Sequence, residues 1–378
     1  MAETVLISIN ASWNIINFRT GLVSALRDRG YRVVVVAPED DHSAEVRALG
    51  VDYIPLEMDK KGLSPARDLL LLARYYRLLR AVKPDVFLGY TPKPNIYGSI
   101  ACHLLGVPVI NNVAGLGTAF IKEGWLARLL TFLYSVAFRR SRTIFFQNRD
   151  DLDLFLSGRV VQRHQARLLP GSGIDLNRFR SSASPQQAGR GFRFLLVARL
   201  LWDKGIGEYV EAARRLRDEA PEVRCQLLGF ADAENRTAIP RTQLQNWMEE
   251  GVVDYLGHAS DVRPFIAAAD CIVLPSYREG LPRVLLEAAA MAKPLIATDV
   301  PGCRHLVQDG KNGFLCTVRD ANSLAEAMLK MAALPADERQ RMGAFARSNV
   351  EEEFDERIVI DRYLLAVREA LGREPGQP

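Results

Sequence analysis

Ser276-Tyr277-Arg278-Glu279-Gly280-Leu281-Pro282-Arg283-Val284-Leu285-Leu286-Glu287-Ala288-Ala289-Ala290 follows the apolar run Cys271-Ile272-Val273-Leu274 and a Pro275-Ser276 break. The run reads as a strand, the segment holding Gly280 as a turn, and Pro282 as the first position of a helix. A helix start offers backbone N–H groups and the positive end of the dipole, which suit an anion such as a diphosphate. Glu279 falls on the turn and Glu287 one to two turns into the helix. One carboxylate can face a sugar ring while the other accepts hydrogen bonds from ribose hydroxyls, the layout of a nucleotide-sugar site.

Upstream, Val197-Ala198-Arg199-Leu200-Leu201-Trp202-Asp203-Lys204-Gly205 ends a strand near Ala198. Arg199 and Lys204 then flank a strand-to-helix loop, where a guanidinium and an ammonium together neutralise a diphosphate. Two such cations five residues apart are by themselves ordinary solvated surface. Their pairing with the Glu279-to-Glu287 segment, also beyond a strand's carboxyl end, gives them weight.

Around these segments, short β-branched runs alternate with helical patterns. Strands are expected at 4–9, 32–37, 52–55, 85–88, 107–110 and 143–147, and again at 193–198, 223–228, 253–256, 271–274, 294–298 and 313–316. Helices are expected at 17–29, 42–48, 65–82, 95–105, 124–140 and 149–157, then at 206–219, 260–268, 282–291 and 321–333. The fold class is α/β, as two Rossmann-like doubly wound domains with a cleft between them. The expected domains are 1–180 for the acceptor and 192–353 for the donor, with a polar linker at 181–191. Residues 354–372 form a helix packing back across the domains, ahead of a disordered tail.

With 378 residues, 48% of them hydrophobic, the chain can bury two cores. Its five cysteines are scattered without a CxxC pair, which argues for a reducing compartment and against disulfides or zinc. Glu3 leads straight into a strand pattern, so no secretory leader is expected, and no apolar run spans a bilayer. Residues 1–180 carry 24 Lys and Arg against 16 Asp and Glu, while 181–378 carry 25 against 29. The basic first half suits an anionic partner such as a membrane surface or a lipid phosphate. Basic residues are too dispersed for nucleic acid, no recognition motif is present, and GxGxxG is absent after the first strand.

Arg199, Lys204 and Glu279-Gly280-Leu281-Pro282 leading to Glu287 resemble the donor-site signature of retaining glycosyltransferase family four. Pro301-Gly302-Cys303-Arg304 and Asp309-Gly310-Lys311-Asn312-Gly313-Phe314-Leu315 extend that resemblance through the second domain. It implies the two-domain glycosyltransferase-B fold, a nucleotide-sugar donor, expected to be a UDP-sugar, and no cofactor or metal. Arg199 and Lys204 match the family's diphosphate contacts, Glu279 the carboxylate facing the donor sugar, and Glu287 the one on the ribose. The backbone of Gly280 and Leu281 would approach the phosphates. Arg199, Lys204 and Glu279 are the candidate catalytic residues.

Tyr90-Thr91-Pro92-Lys93-Pro94-Asn95-Ile96-Tyr97-Gly98, Ile110-Asn111-Asn112-Val113-Ala114-Gly115-Leu116-Gly117 and Pro170-Gly171-Ser172-Gly173-Ile174-Asp175 resemble a bacterial branch of that family. The branch builds surface polysaccharide or glycoprotein glycans on polyprenyl-diphosphate carriers. It includes N-acetylgalactosaminyltransferases acting on bacillosamine-linked undecaprenyl diphosphate. The expected acceptor contacts are Asn17, Lys93, Gly115 and Gly117. Relatives often have a His near Ala114-Gly115-Leu116-Gly117; none stands here, so no catalytic His is assigned. The implied mechanism is front-face attack, with a donor diphosphate oxygen taking the acceptor proton. His305 and Ala292 stand where relatives carry Glu and Gly, and His305 is read as an ordinary loop histidine.

The helical stretch Trp125–Arg140 is apolar around most of its circumference with basic ends. It fits equally a core helix and an interfacial helix on anionic lipid. The expectation is a cytoplasmic transferase held peripherally at the inner face of the cell membrane. A soluble-acceptor transferase, a nucleotide-sugar epimerase or hydrolase, and a non-catalytic binding protein remain as alternatives.

Overall fold

A computed structural model describes residues 2–59, 64–115, 125–180, 191–230 and 237–373. Unit one comprises the chain to Gly173 together with the segment from Glu356, and unit two is Ile174–Asp355.

Unit one holds strands β1 (Thr4–Ser8), β2 (Arg32–Ala37), β3 (Asp52–Pro55), β4 (Val86–Tyr90), β5 (Val109–Val113), β6 (Thr143–Phe146) and β7 (Ala166–Leu168). They form one parallel sheet in the order β3-β2-β1-β4-β5-β6-β7. Helices α1 (Ser12–Phe18), α2 (Thr20–Asp28), α3 (Ser43–Ala48), α4 (Pro65–Val82), α5 (Ser99–Leu105), α6 (Trp125–Phe138) and α7 (Arg149–Ser157) connect them. Alternate strand residues enter opposite cores. Leu6, Val34, Val36, Phe87 and Val109 pack on one side, and Val5, Ile7, Val33, Val35 and Leu88 on the other. Both faces being covered explains why β1 and β2 read as near-continuous apolar runs.

Unit two repeats the scheme with β8 (Arg193–Val197), β9 (Arg224–Leu228), β10 (Asp254–Tyr255), β11 (Cys271–Leu274), β12 (Leu295–Thr298) and β13 (Gly313–Cys316). Its parallel order is β10-β9-β8-β11-β12-β13. The helices are α8 (Ile206–Glu219), α9 (Arg241–Glu249), α10 (Arg263–Ala268), α11 (Arg283–Ala290), α12 (Ala321–Ala333) and α13 (Ala336–Glu353). Phe194 and Leu196 face one core, and Leu195 faces the other. All five cysteines are free and buried, as small core residues.

The chain divides differently from the sequence expectation. Ile174 and Phe179 pack into the core of unit two with Leu195 and Ile272, so the division precedes position 180. Residues 181–190, most of the expected linker, lie outside the described residues. The final helix α14 (Glu356–Ala370) belongs to unit one, where Val359, Tyr363, Leu364 and Val367 join the core holding Val5 and Ile7.

Three further elements differ from expectation. The loop expected after β1 is helix α1, in which Asn14 and Asn17 reach back one turn, to Asn10 Oδ1 and to the Trp13 carbonyl. Two asparagines and two isoleucines mask that helix in sequence, since neither favours one. β7 is three residues long with Arg167 in its middle. α13 is polar except for the face carrying Met342, Ala346 and Val350. Helix α6 has two unlike sides: Tyr134, Ala137 and Phe138 enter the core, while Leu129, Phe132 and Val136 are exposed beside Arg128, Arg139 and Arg140. Among the described residues no helix is long and apolar enough to cross a membrane.

Candidate active site

Strand order reverses between β8 and β11, because the chain winds outward through β9 and β10 before returning to β8's other side. In an open α/β sheet, ligands bind beyond the carboxyl ends of strands at such a reversal. The β8–α8 and β11–α11 loops meet there. The Tyr277 N–H donates to the Asp203 carbonyl at 3.0 Å, tying one loop to the other. Gly205, at φ +70°, lets the β8–α8 loop lie against Pro275; a Cβ there would stand 2.0 Å from the Pro275 carbonyl oxygen.

This contact brings Lys204 and Glu279 together as an ion pair, with 21% and 14% of their side chains exposed. Arg199 lies on the same β8–α8 loop and is exposed. On the far side, Gly302 at φ +84° supports the turn. A Cβ at Gly302 would fall 2.4 Å from the Gly280 carbonyl oxygen and 2.7 Å from that of Glu279. Gly205 thus holds the start of the β11–α11 loop at Pro275, and Gly302 backs its turn at Glu279 and Gly280.

Pro282 is the N-cap of α11 rather than its first residue, and no side chain caps this helix start. The start of this helix carries the positive end of its dipole, which favours an anion. Glu287 sits on α11, one turn after Arg283, whose Nε donates to Glu287 Oε1 at 3.1 Å. Burial pushes the Glu287 carboxyl above its ordinary value, opposed by Arg283 and by the charge of Arg178. Tyr277 donates to Glu208 at 2.7 Å, and burial, reinforced by that bond, pushes its hydroxyl up to about 12. The Ser276 hydroxyl beside it is fully buried with no partner. The site thus sets cations, the positive end of a helix and a buried carboxylate beyond the carboxyl ends of β8 and β11, which suits a diphosphate attached to a polyol.

The expected acceptor residues of unit one are dispersed. Asn17 is on α1 and donates to its own helix. Lys93 is ion-paired to Asp68 at 2.9 Å, and both are largely buried, so its charge is already matched. Gly115 follows β5 at φ +128°, and Gly117 lies outside the described residues. Sequence reasoning missed Arg283, although its four-residue spacing from Glu287 was a readable signal. It also missed Gly302's contact with Gly280, which no spacing reveals.

Both halves of the chain match known families. Residues 4–148 match the family described as glycosyl transferase 4-like, and 191–333 match glycosyl transferases group 1. The Campylobacter jejuni N,N'-diacetylbacillosaminyl-diphospho-undecaprenol alpha-1,3-N-acetylgalactosaminyltransferase is 29% identical over 94% of this chain and 96% of its own length. An Escherichia coli UDP-Gal:alpha-D-GlcNAc-diphosphoundecaprenol alpha-1,3-galactosyltransferase is 24% identical, covering 72% of each chain. Among solved structures, the sucrose-phosphate synthase of Thermosynechococcus elongatus superposes with a TM-score of 0.81 at 20% identity, over 98% of this chain and all of its own. With both sheets wound alike and both halves matched, the chain belongs to the retaining glycosyltransferases of family four, with the glycosyltransferase-B fold.

Proposed function

We propose that the protein moves a hexose or N-acetylhexosamine from a UDP-sugar to a polyprenyl-diphosphate-linked saccharide, in the synthesis of bacterial surface polysaccharide or glycoprotein glycans. The observation that carries this reading is the meeting of Lys204, Glu279 and the uncapped start of α11 where the second sheet's strand order reverses. The acceptor class is supported by the two relatives, each named for a substrate on a diphosphate-linked undecaprenol.

In this reading Arg199, Lys204 and the N–H groups near Gly280 and Leu281 hold the donor diphosphate, Glu279 faces the sugar and Glu287 takes the ribose hydroxyls. The acceptor hydroxyl attacks the anomeric carbon from the face the diphosphate leaves. The breaking C–O bond gives its electron pair to the departing phosphate oxygen, which takes the acceptor's proton. Charge grows on that oxygen, so fixed cations stabilise the transition state more than the ground state. Arg199 and Lys204 fill the electrostatic role a divalent ion plays in other transferases, and a metal is not required. The apolar stripe of α6 beside Arg128, Arg139 and Arg140 supports peripheral contact with an anionic membrane at the cytoplasmic face.

The test is transfer from a panel of UDP-sugars to a polyprenyl-diphosphate-linked monosaccharide in detergent with a chelator present, with the product's anomeric configuration read by NMR. Transfer with retention is expected. Transfer only to water, only to soluble sugars, or only with added metal would overturn the corresponding part of the reading.

A further inference from the structure

We infer that Arg19 forms a phosphate-binding site in unit one. Arg19 lies between α1 and α2 and is only 5% exposed. One Nη donates to the neighbouring Phe18 carbonyl at 3.3 Å, and the guanidinium carbon sits 4.6 Å from the centre of the Tyr90 ring. Its Nε is buried without a hydrogen-bond partner. Among the described residues no carboxylate is within ion-pair distance of it, whereas Lys93, the other largely buried cation of unit one, has Asp68. A guanidinium taken out of water without a counter-charge is costly, and the structure tolerates it only if something else supplies the charge.

Beside the Phe18 carbonyl, the polar neighbours of this guanidinium are tyrosine hydroxyls, which carry protons to give. Tyr90, the last residue of β4, is 2% exposed, and its buried hydroxyl interacts with that of Tyr363. The Tyr363 ring lies 5.8 Å from it, and the Tyr363 hydroxyl accepts from Asn112 Nδ2 at 2.7 Å, leaving its own proton to give. Thr91, next in the chain, holds φ +66°, strained for a β-branched residue. All of this lies where the first sheet's order reverses between β1 and β4, the counterpart of the reversal that carries Lys204 and Glu279. A buried cation beside a tyrosine hydroxyl that still has its proton to give, at such a reversal, fits a phosphate oxygen. Assigning that oxygen to the diphosphate of a lipid-linked acceptor rests on the proposed function; the anion site itself does not.

The full chain, first saturated with UDP to fill the donor site, is titrated calorimetrically with inorganic diphosphate and, in a parallel arm, with farnesyl diphosphate. Both are expected to bind, and Arg19→Gln should weaken them about tenfold or more, as loss of a charge-assisted hydrogen bond implies. Its UDP affinity should stay at the wild-type value. Tighter binding of farnesyl diphosphate identifies a lipid-linked diphosphate as the source, whereas binding of the inorganic ion alone removes the acceptor assignment and leaves a free-phosphate site. Absence of heat from either probe in the UDP-saturated wild type overturns the site, whatever the variant does. Equal affinities in a folded Arg19→Gln protein overturn it too. Loss of UDP binding in Arg19→Gln overturns the assignment of Arg19 to a second site, whereas failure of the wild type to bind UDP counts against the donor-site reading.

Discussion

Lys204 and Glu279 stand 75 residues apart in sequence and are ion-paired in the folded protein. The cation suited to a diphosphate is thereby neutralised by the carboxylate suited to the donor sugar. An incoming diphosphate competes with Glu279 for Lys204, and its binding frees the carboxylate. Glu279→Gln should therefore tighten UDP severalfold while turnover falls by at least about a hundredfold, the scale of losing one transition-state contact. Lys204→Ala should lose both affinity and turnover. Titration calorimetry and initial rates check the pair, and unchanged UDP affinity in Glu279→Gln would remove the competition.

Glu287 gives the site a pH dependence. Burial holds its carboxyl above the ordinary value in the ligand-free protein, against the pull of Arg283. Hydrogen bonds from ribose hydroxyls favour the ionised form, so UDP binding expels a proton in the window between the ordinary and the raised value. UDP affinity should fall as pH drops through that window. The same shift makes the ligand-free protein lose stability as pH rises through it, because the folded state binds more protons there than the unfolded one. Glu287→Gln should abolish both dependences and weaken UDP at neutral pH. UDP titrations and melting curves across pH measure them.

Gly302→Ala should damage the donor site through Gly280. Its Cβ would stand 2.4 Å from the Gly280 carbonyl oxygen, in a backbone conformation that L residues rarely adopt. Gly310, at φ +74°, has nothing within 4 Å of an added Cβ and isolates the conformational cost. Gly310→Ala should lose about 1 kcal/mol of stability with its kinetics intact. Gly302→Ala should lose more and also raise the donor KM. Equal donor KM in the two variants would show that the turn does not depend on Gly302.

Phe132 is 62% exposed on α6, in line with Leu129 and Val136. Phe132→Asp should weaken binding to vesicles containing anionic phospholipid by about tenfold or more, since a buried aromatic is worth about 2 kcal/mol. Donor affinity and melting temperature should be unchanged. Vesicle flotation reads the first and UDP titration the second; wild-type flotation in this variant would remove α6 from the membrane surface.

Most strands were legible in the sequence because their burial is local information. Val33 to Val36 and Cys271 to Leu274 are apolar on both faces, and only a covered parallel strand needs that. Helices with an uneven pattern were not legible. Asparagines in α1 and charges throughout α13 hide their apolar faces, which only their packing partners reveal.

The sequence by itself determined two doubly wound α/β halves, the strand-to-helix loops holding Lys204 and Glu279, and the residue types suited to a nucleotide sugar. Those properties follow from periodicity and side-chain chemistry. Only the tertiary structure decided that β8 and β11 are neighbours, which pairs Lys204 with Glu279. It alone tied Lys93 to Asp68, placed α14 in unit one, and left Arg19 buried with no counter-charge among the described residues. Each of these depends on contacts between residues far apart in the chain, and sheet order brings them together only once the whole core has packed.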